Sequence, residues 1–383
     1  MAIARPRLDL SVVAMSRSEV TGAIGDTVTV LPIIVALAAL TPISLPHTLL
    51  AFGVFQVVWG LWYGVPMSVE PMKALAALAI AGTLGYTEFL AAGLVSGVTL
   101  LALGIGGGLA RIGHLIGRPV VRGVQLAVAF VLAETALGLA VSDLGFAAVG
   151  IAVAVAAFAV GRANVAALCV LGAGVAITIS LAGFPALSVP GVPRVPLGEV
   201  ARVPTTGVAE GALAQLAMTV GNAAVATSLL VSEFFDQDVP ADDLATSMGG
   251  MTLLSLPLGG VPMCHGSGGL AGKYAFGART AGANLVLGVL YGLAALVAGG
   301  GFFASFPIAT LGVVLGLVAI ELGKAALRSD SVTLTAAIGL VGLLANVGVA
   351  FLLGIAGYRA IEWLRSEGRG PDGLTRRAPD EGS

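Results

Sequence analysis

The feature that most constrains this chain is how little charge it carries between its ends. Of its 19 Lys/Arg and 21 Asp/Glu residues, five fall in residues 1–19 and ten in 359–383. That leaves 25 for the 339 residues between them, about one in fourteen. A soluble domain needs roughly a quarter of its residues charged to cover a water-facing surface. With 57% hydrophobic residues and a mean hydropathy of +1.00, this chain cannot do so. A soluble globular enzyme is therefore excluded. So is a disordered chain, which is rich in charge and poor in aliphatic residues. The apolar runs are too long, and alternate too little, for a β-barrel. The expectation is an all-α polytopic membrane protein with polar ends, surrounded by a lipid bilayer.

Other classes fall away quickly. A net charge of −2 leaves no electrostatic footprint for nucleic acid. The two cysteines, Cys169 and Cys264, make neither a disulfide framework nor a metal site, and no cofactor is implied. Residues Met1–Glu19 are too polar for the apolar core of a signal peptide.

Apolar runs bounded by charges, prolines and polar clusters map the spans. They run Ala23–Leu40, Thr48–Tyr63, a short Pro71–Gly82, Phe89–Leu109, two between Arg118 and Arg162 split near Ser142-Asp143-Leu144, and Asn164–Phe184. A proline-rich loop, residues 185–207, precedes Val208–Val231, Leu244–Leu258, a short piece around Gly268–Phe276, Gly282–Ala298 and Phe306–Leu322. Ser331–Trp363 is too long for one crossing of about 20 residues, and Gly342 or Asn346 could divide it. The map gives about 14 transmembrane segments, seven per half. With the N-terminus inside, 16 of the 19 Lys/Arg, Lys273 among them, fall on the inner side. Only Arg194 and Arg202 fall outside, and Lys73 within the membrane. This bias implies that both termini are cytoplasmic, in the cell membrane, with 185–207 an extracellular loop and 365–383 a polar cytoplasmic tail.

The chain also repeats itself. Gly64-Val65-Pro66-Met67 recurs as Gly260-Val261-Pro262-Met263, an offset of 196. The same offset carries Gly25-Asp26 onto Gly221-Asn222 and Gly53 onto Gly249. An odd number of spans per half makes the two repeats inverted, the arrangement of secondary transporters. In both copies the proline forbids regular helix just before an unusually short apolar piece. The expected structure is an extended segment reaching the midplane, followed by a half-helix that begins near Pro71 in one copy and near Gly268-Gly269 in the other. Two half-helix N-termini, with N–H groups and positive dipole ends, would then converge on one spot suited to an anion.

The candidate site residues come from these two elements. The first copy offers Ser68, Val69, Glu70, Met72 and Lys73. Glu70 and Lys73 are three apart and can pair across the helix start, either to serve a ligand or to pin a broken helix. The second copy offers Cys264, His265, Gly266, Ser267, Gly268 and Gly269. Its glycines let backbone N–H groups face a ligand, and Ser267 adds a hydroxyl. His265 could contact the anion or simply pack and cap. Cys264 reads more as a small packing residue than as a reactive thiol. Asp26, Glu70 and Asn222 are candidates for coupling, with capping or interhelical bonding the alternative for Asp26 and Asn222. Gln56 could bond between helices. Glu134, Glu321 and Lys324 are left out of the site as interfacial or pairing groups.

The stretch Tyr63–Lys73, the stretch Pro262–Ala271 with Phe276–Thr280, and Gly25-Asp26 together resemble the molybdate transporter family, a branch of the sulfate permease superfamily. The resemblance covers most of residues 20–325. It departs at Glu70, where the family motif leads one to expect Gln. It implies the uracil-permease-like fold, with a substrate-binding core from 20–110 and 208–303 and a gate from 118–184 and 306–364. It also implies uptake of molybdate, with sulfate or tungstate as further candidates, and a homodimer. The sequence leaves proton coupling, sodium coupling and facilitated diffusion open. No regulatory domain is expected after Trp363. The alternatives are a sulfate or nucleobase permease of the same fold, an anion channel, or an intramembrane hydrolase using Ser267 and His265.

Overall fold

The computed structural model describes residues 13–109, 112, 116–200, 202, 203, 205–299 and 305–367. Arg5, Arg7, Arg111 and the residues of the expected cytoplasmic tail after Glu367 lie outside the described residues.

The first half runs α1 (Arg17–Leu40), α2 (Leu45–Tyr63), the two-residue strand β1 (Glu70–Pro71), α3 (Lys73–Ile80), α4 (Tyr86–Ile105), α5 (Arg118–Ala140), α6 (Leu144–Ala159) and α7 (Ala166–Ala182). The second half runs α8 (Thr206–Met218) and α9 (Val225–Phe235), then α10 (Ala241–Ser255), strand β2 (Met263–Cys264), α11 (Ser267–Ala275), α12 (Gly282–Val297), α13 (Ile308–Ala326), α14 (Val332–Leu344) and α15 (Val347–Glu367). Among the described residues, eight helical segments are long and apolar enough to cross a membrane, and three shorter ones are also apolar. The chain is an integral membrane protein built almost wholly of helices.

Local chemistry explains the boundaries. Pro46 sits in the first turn of α2, where its missing N–H leaves no bond unmade. The helix ends at Gly64, whose φ of 67° a side chain would resist. The corresponding stop in the second half is Gly259, at φ 77°, one residue before the position that the repeat offset indicates. Asp143 Oδ1 accepts from the N–H groups of Gly145 and Phe146 at 2.9 and 3.1 Å and starts α6. The long last apolar run divides at Ala345-Asn346, where Asn346 Oδ1 accepts from Val349 N at 2.7 Å. Gly342, the other candidate break, lies inside α14 against Ala127. The span expected at Val208–Val231 is interrupted by a π-helical turn, Thr219–Ala224, between α8 and α9.

Small residues set which helices touch. α4 packs along α10, α2 along α12, and α1 against α11, while α5 packs on α13 and α14. Gly25 and Gly272 meet backbone to backbone where α1 crosses α11. Glu19, 2% exposed, joins α1 to the start of α12. Its carboxylate accepts from the N–H groups of Arg279, Thr280 and Ala283 at 2.9, 3.1 and 3.1 Å. An acidic group suits a helix N-terminus because it satisfies orphan donors and matches the dipole.

Candidate functional site

The extended segment that follows the first Gly-Val-Pro-Met element meets the end of the second in the interior. β1 and β2 pair antiparallel, with Glu70 opposite Cys264 and Pro71 opposite Met263. Met72 N donates to Pro262 O at 2.9 Å and closes the pair. Pro71 is therefore a strand residue rather than the first residue of the half-helix, which starts at Lys73 behind Met72. The proline can sit in this strand because the pair is two residues long and leaves it few N–H partners to supply. The half-helices α3 and α11 leave the pair, one from each strand.

Behind the pair lies a polar network that contains a lysine. Lys273 and Asp26 are both wholly buried, with Nζ 3.2 Å from Asp26 Oδ2. The ammonium also donates to Gln56 Oε1 and Met67 O at 2.8 Å, and to Asn284 Oδ1 at 3.3 Å. Four oxygens thus surround it, as a buried charge requires. Asp26 in turn accepts from Gln56 Nε2 and from Ser68 Oγ, each at 2.5 Å. Asn284 Nδ2 donates to the carbonyl of Gln56 at 2.7 Å and to that of Met67 at 2.6 Å. Lys273 therefore leaves the inner-side tally of basic residues. It lies within the expected short span Gly268–Phe276, and that placement was the available signal for an interior role.

The half-helix N-termini are not bare. Gln215 from α8 turns its Oε1 onto α3 and accepts from Ala74 N at 3.0 Å and Leu75 N at 3.4 Å. Its own Nε2 donates to Thr219 Oγ1 at 2.9 Å. At α11, Gly269 N donates to Glu70 Oε1 at 2.8 Å. The same oxygen accepts from Thr29 Oγ1 at 3.1 Å, and Glu70 Oε2 pairs with Lys73 Nζ at 2.5 Å. The pairing of Glu70 with Lys73 that their spacing suggests is present. Gln215, Thr29, Lys273 and Asn284 were not among the residues that the sequence singled out. Replacing Gln215 with leucine would leave two buried N–H groups without an acceptor. The Q215L protein is expected to lose about 1–3 kcal/mol of stability. A wild-type melting temperature in detergent would show that the cap is dispensable.

The remaining candidates divide into buried supports and open faces. Val69 is buried, and its carbonyl accepts from Gln56 Nε2 at 3.2 Å. Met72 is buried and caps α3, and the Cys264 thiol is buried against the Pro71 carbonyl. Ser68 donates its hydroxyl proton to Asp26, which holds Ser68 in the network. His265 is wholly buried, with Nδ1 2.9 Å from Ser68 O and Nε2 2.8 Å from Ser247 Oγ. The rings of Trp59 and Tyr63 lie edge-on to it at 5.9 and 5.8 Å. With a carbonyl as partner, Nδ1 carries the proton and Nε2 accepts from Ser247. Both ring nitrogens are thus engaged away from Ser267. Gly266 caps α11, and a Cβ there would meet the Glu70 carboxyl carbon. Ser267 is half-buried, Gly268 is exposed with open space at its Cα, and Lys73 is 18% exposed. These three mark where the site opens. Asn222 lies in the π-helical turn, and its side chain is outside the described residues.

Residues 18–132 and 207–322 match the profile of the family described as "Molybdate transporter of MFS superfamily". The chain belongs to the molybdate transporter family. The resemblance read from the two motifs is borne out, and the matched blocks contain every site residue named above. Molybdate transporter 1 of Arabidopsis thaliana is 29% identical over 92% of this chain and 89% of its own length. Molybdate transporter 1 of Chlamydomonas reinhardtii is 26% identical, covering 90% of this chain and 91% of its own. These family members are named as transporters, consistent with the expectation that the chain is not an enzyme. Among solved structures, the transmembrane domain of the cyanobacterial bicarbonate transporter BicA superposes with a TM-score of 0.63 at 14% identity, covering 89% of this chain and 96% of that one. SLC26A9 superposes at 0.66 with 13% identity, covering 91% of this chain and 65% of that one. This chain thus has the fold of these two neighbours.

Proposed function

We propose that this chain is a secondary active transporter for a tetrahedral oxyanion, molybdate first, with sulfate and tungstate as alternatives. The observation that carries this reading is the convergence of α3 and α11 on the β1–β2 pair, with Lys73 and Gly268 at its open side. The Lys73 side chain, 18% exposed, and the first turn of a helix are complementary to an oxyanion. The names of the relatives supply the choice of molybdate. The core formed by 20–110 and 208–303 would move against the gate formed by 118–184 and 306–364 and expose the site to either side in turn. The packing of α4 on α10 and α2 on α12, within the core, supports that division. The protein would sit in the cell membrane with both termini cytoplasmic, as a homodimer. Protons are the favoured coupling ion, carried by Asp26 or Glu70, because the four oxygens that could hold sodium beside Asp26 already hold Lys273. Asn222 remains a coupling candidate as the repeat mate of Asp26.

Proteoliposomes containing the protein are expected to concentrate labelled molybdate saturably, with competition by tungstate and sulfate. The K73Q variant is expected to lower uptake by about tenfold or more, by removing the cation at the opening. Absence of saturable uptake of any of the three anions would refute the reading. Competition by uracil or xanthine instead would favour the nucleobase alternative.

A further inference from the structure

We propose that the Glu70 carboxylate is a built-in anion that occupies the α11 cradle until the transported oxyanion displaces it. The proposal rests on the oxyanion reading above and specifies how substrate gains the site. A carboxylate offers the negative charge and acceptor oxygens that an oxyanion offers. Glu70 places its own where the ligand would be held, on the Gly269 N–H, the Thr29 hydroxyl and the Lys73 ammonium. The cradle is shaped around it: a Cβ on Gly266 would lie 1.9 Å from its carboxyl carbon, and one on Gly269 would lie 2.5 Å from Oε1. At 1% exposure the carboxylate fills this space, whereas Gly268 and Lys73 beside it remain open.

An oxyanion that arrives at Lys73 therefore meets a carboxylate on the same ammonium and the same helix start. The two anions repel at short range. Binding requires that Glu70 leave Gly269 and Lys73. The titratable groups facing it are Asp26 from α1, Lys73 from α3, Cys264 from β2, Lys273 from α11 and Tyr291 from α12. Glu70 is thereby an affinity-setting residue that opposes the substrate, and Lys73 is the group that exchanges one anion for the other.

Molybdate binding to the purified full-length protein, measured by titration calorimetry at neutral pH, tests this. E70Q, which removes the charge but keeps the shape, is expected to bind about tenfold more tightly than wild type. E70D is one methylene too short to reach both Gly269 and Lys73, and should also bind more tightly than wild type. Equal or weaker binding by E70Q, with wild-type elution and melting temperature, would overturn the proposal and make Glu70 a support of the site. If E70Q does not fold, E70D decides in the same way. Failure of wild type and both variants to bind molybdate, tungstate or sulfate would refute the underlying oxyanion reading together with this one. Binding by wild type without the E70Q gain would refute only the displacement.

Discussion

Replacement of Lys273 by methionine is expected to destabilise the folded protein by about 3–5 kcal/mol and to abolish uptake. The side chain is wholly buried, and methionine would fill much of its volume, so lost packing is a minor part of the effect. The larger part is electrostatic. Asp26 would be left as a buried carboxylate without its ammonium, and the Gln56, Met67 and Asn284 oxygens would each lose a donor. Removing one partner of a buried pair costs far more than removing both, because the surviving charge has neither water nor a counter-ion. The D26N/K273M double variant should therefore recover much of the lost stability while remaining impaired in transport. Melting temperatures of the three proteins in detergent, with uptake measured in parallel, check this. A K273M protein as stable as wild type would mean that Asp26 is not held charged by Lys273.

The second large effect is expected at a residue with no side chain. Gly25 lies where α1 crosses α11, and a Cβ there would stand 2.5 Å from Gly272 O and 2.6 Å from its carbonyl carbon. This obstacle is backbone, so no rotamer change relieves it. Gly25→Ala must push α1 away from α11. Overpacking of this kind typically costs about 1–3 kcal/mol. The functional loss should be larger than the stability loss, because the next residue is Asp26 and the displaced helix carries Thr29 as well. Uptake by G25A is expected to fall at least tenfold, roughly what a small misplacement of site groups can produce. Gly172→Ala is the control: nothing lies within 4 Å of a Cβ there, and it sits within α7. It should be neutral or stabilising by about 0.4–1 kcal/mol. A G25A protein that transports like G172A would show that the α1–α11 approach has slack.

Much of the architecture was legible in the sequence, for identifiable reasons. The interior of a bilayer excludes uncompensated charge, so 25 charged residues over 339 positions already specified membrane spans. Proline within Gly-Val-Pro-Met breaks helix whatever surrounds it, so the extended segments before α3 and α11 could be read locally. Glu70 and Lys73 share a short stretch of chain, and their pairing follows from spacing alone. Other elements needed the three-dimensional arrangement. The start of α3 moved past Pro71 because β2 recruits that residue into a strand pair. Sequence position assigns Lys273 to the inner side, whereas the packing of α11 against α1 places it on Asp26 in the interior. For His265 the sequence allows either ligand contact or packing, and Ser247 and the Ser68 carbonyl engage both of its ring nitrogens. Gln215, an ordinary residue in an apolar run, became a helix cap once α8 was placed beside the α3 N-terminus.

The sequence by itself determined the class of environment, the repeat at offset 196 and the two points where helices must break. Each of these follows from the chemistry of residues close together in the chain: hydropathy, missing N–H groups and glycine freedom. Only the tertiary structure decided which charge neutralises Lys273 and what occupies each half-helix N-terminus. Those partners lie far apart in sequence, as with Lys273 and Asp26 or Gly269 and Glu70. Their meeting depends on how closely two glycine-faced helices approach, and periodicity along one strand of sequence does not encode that distance.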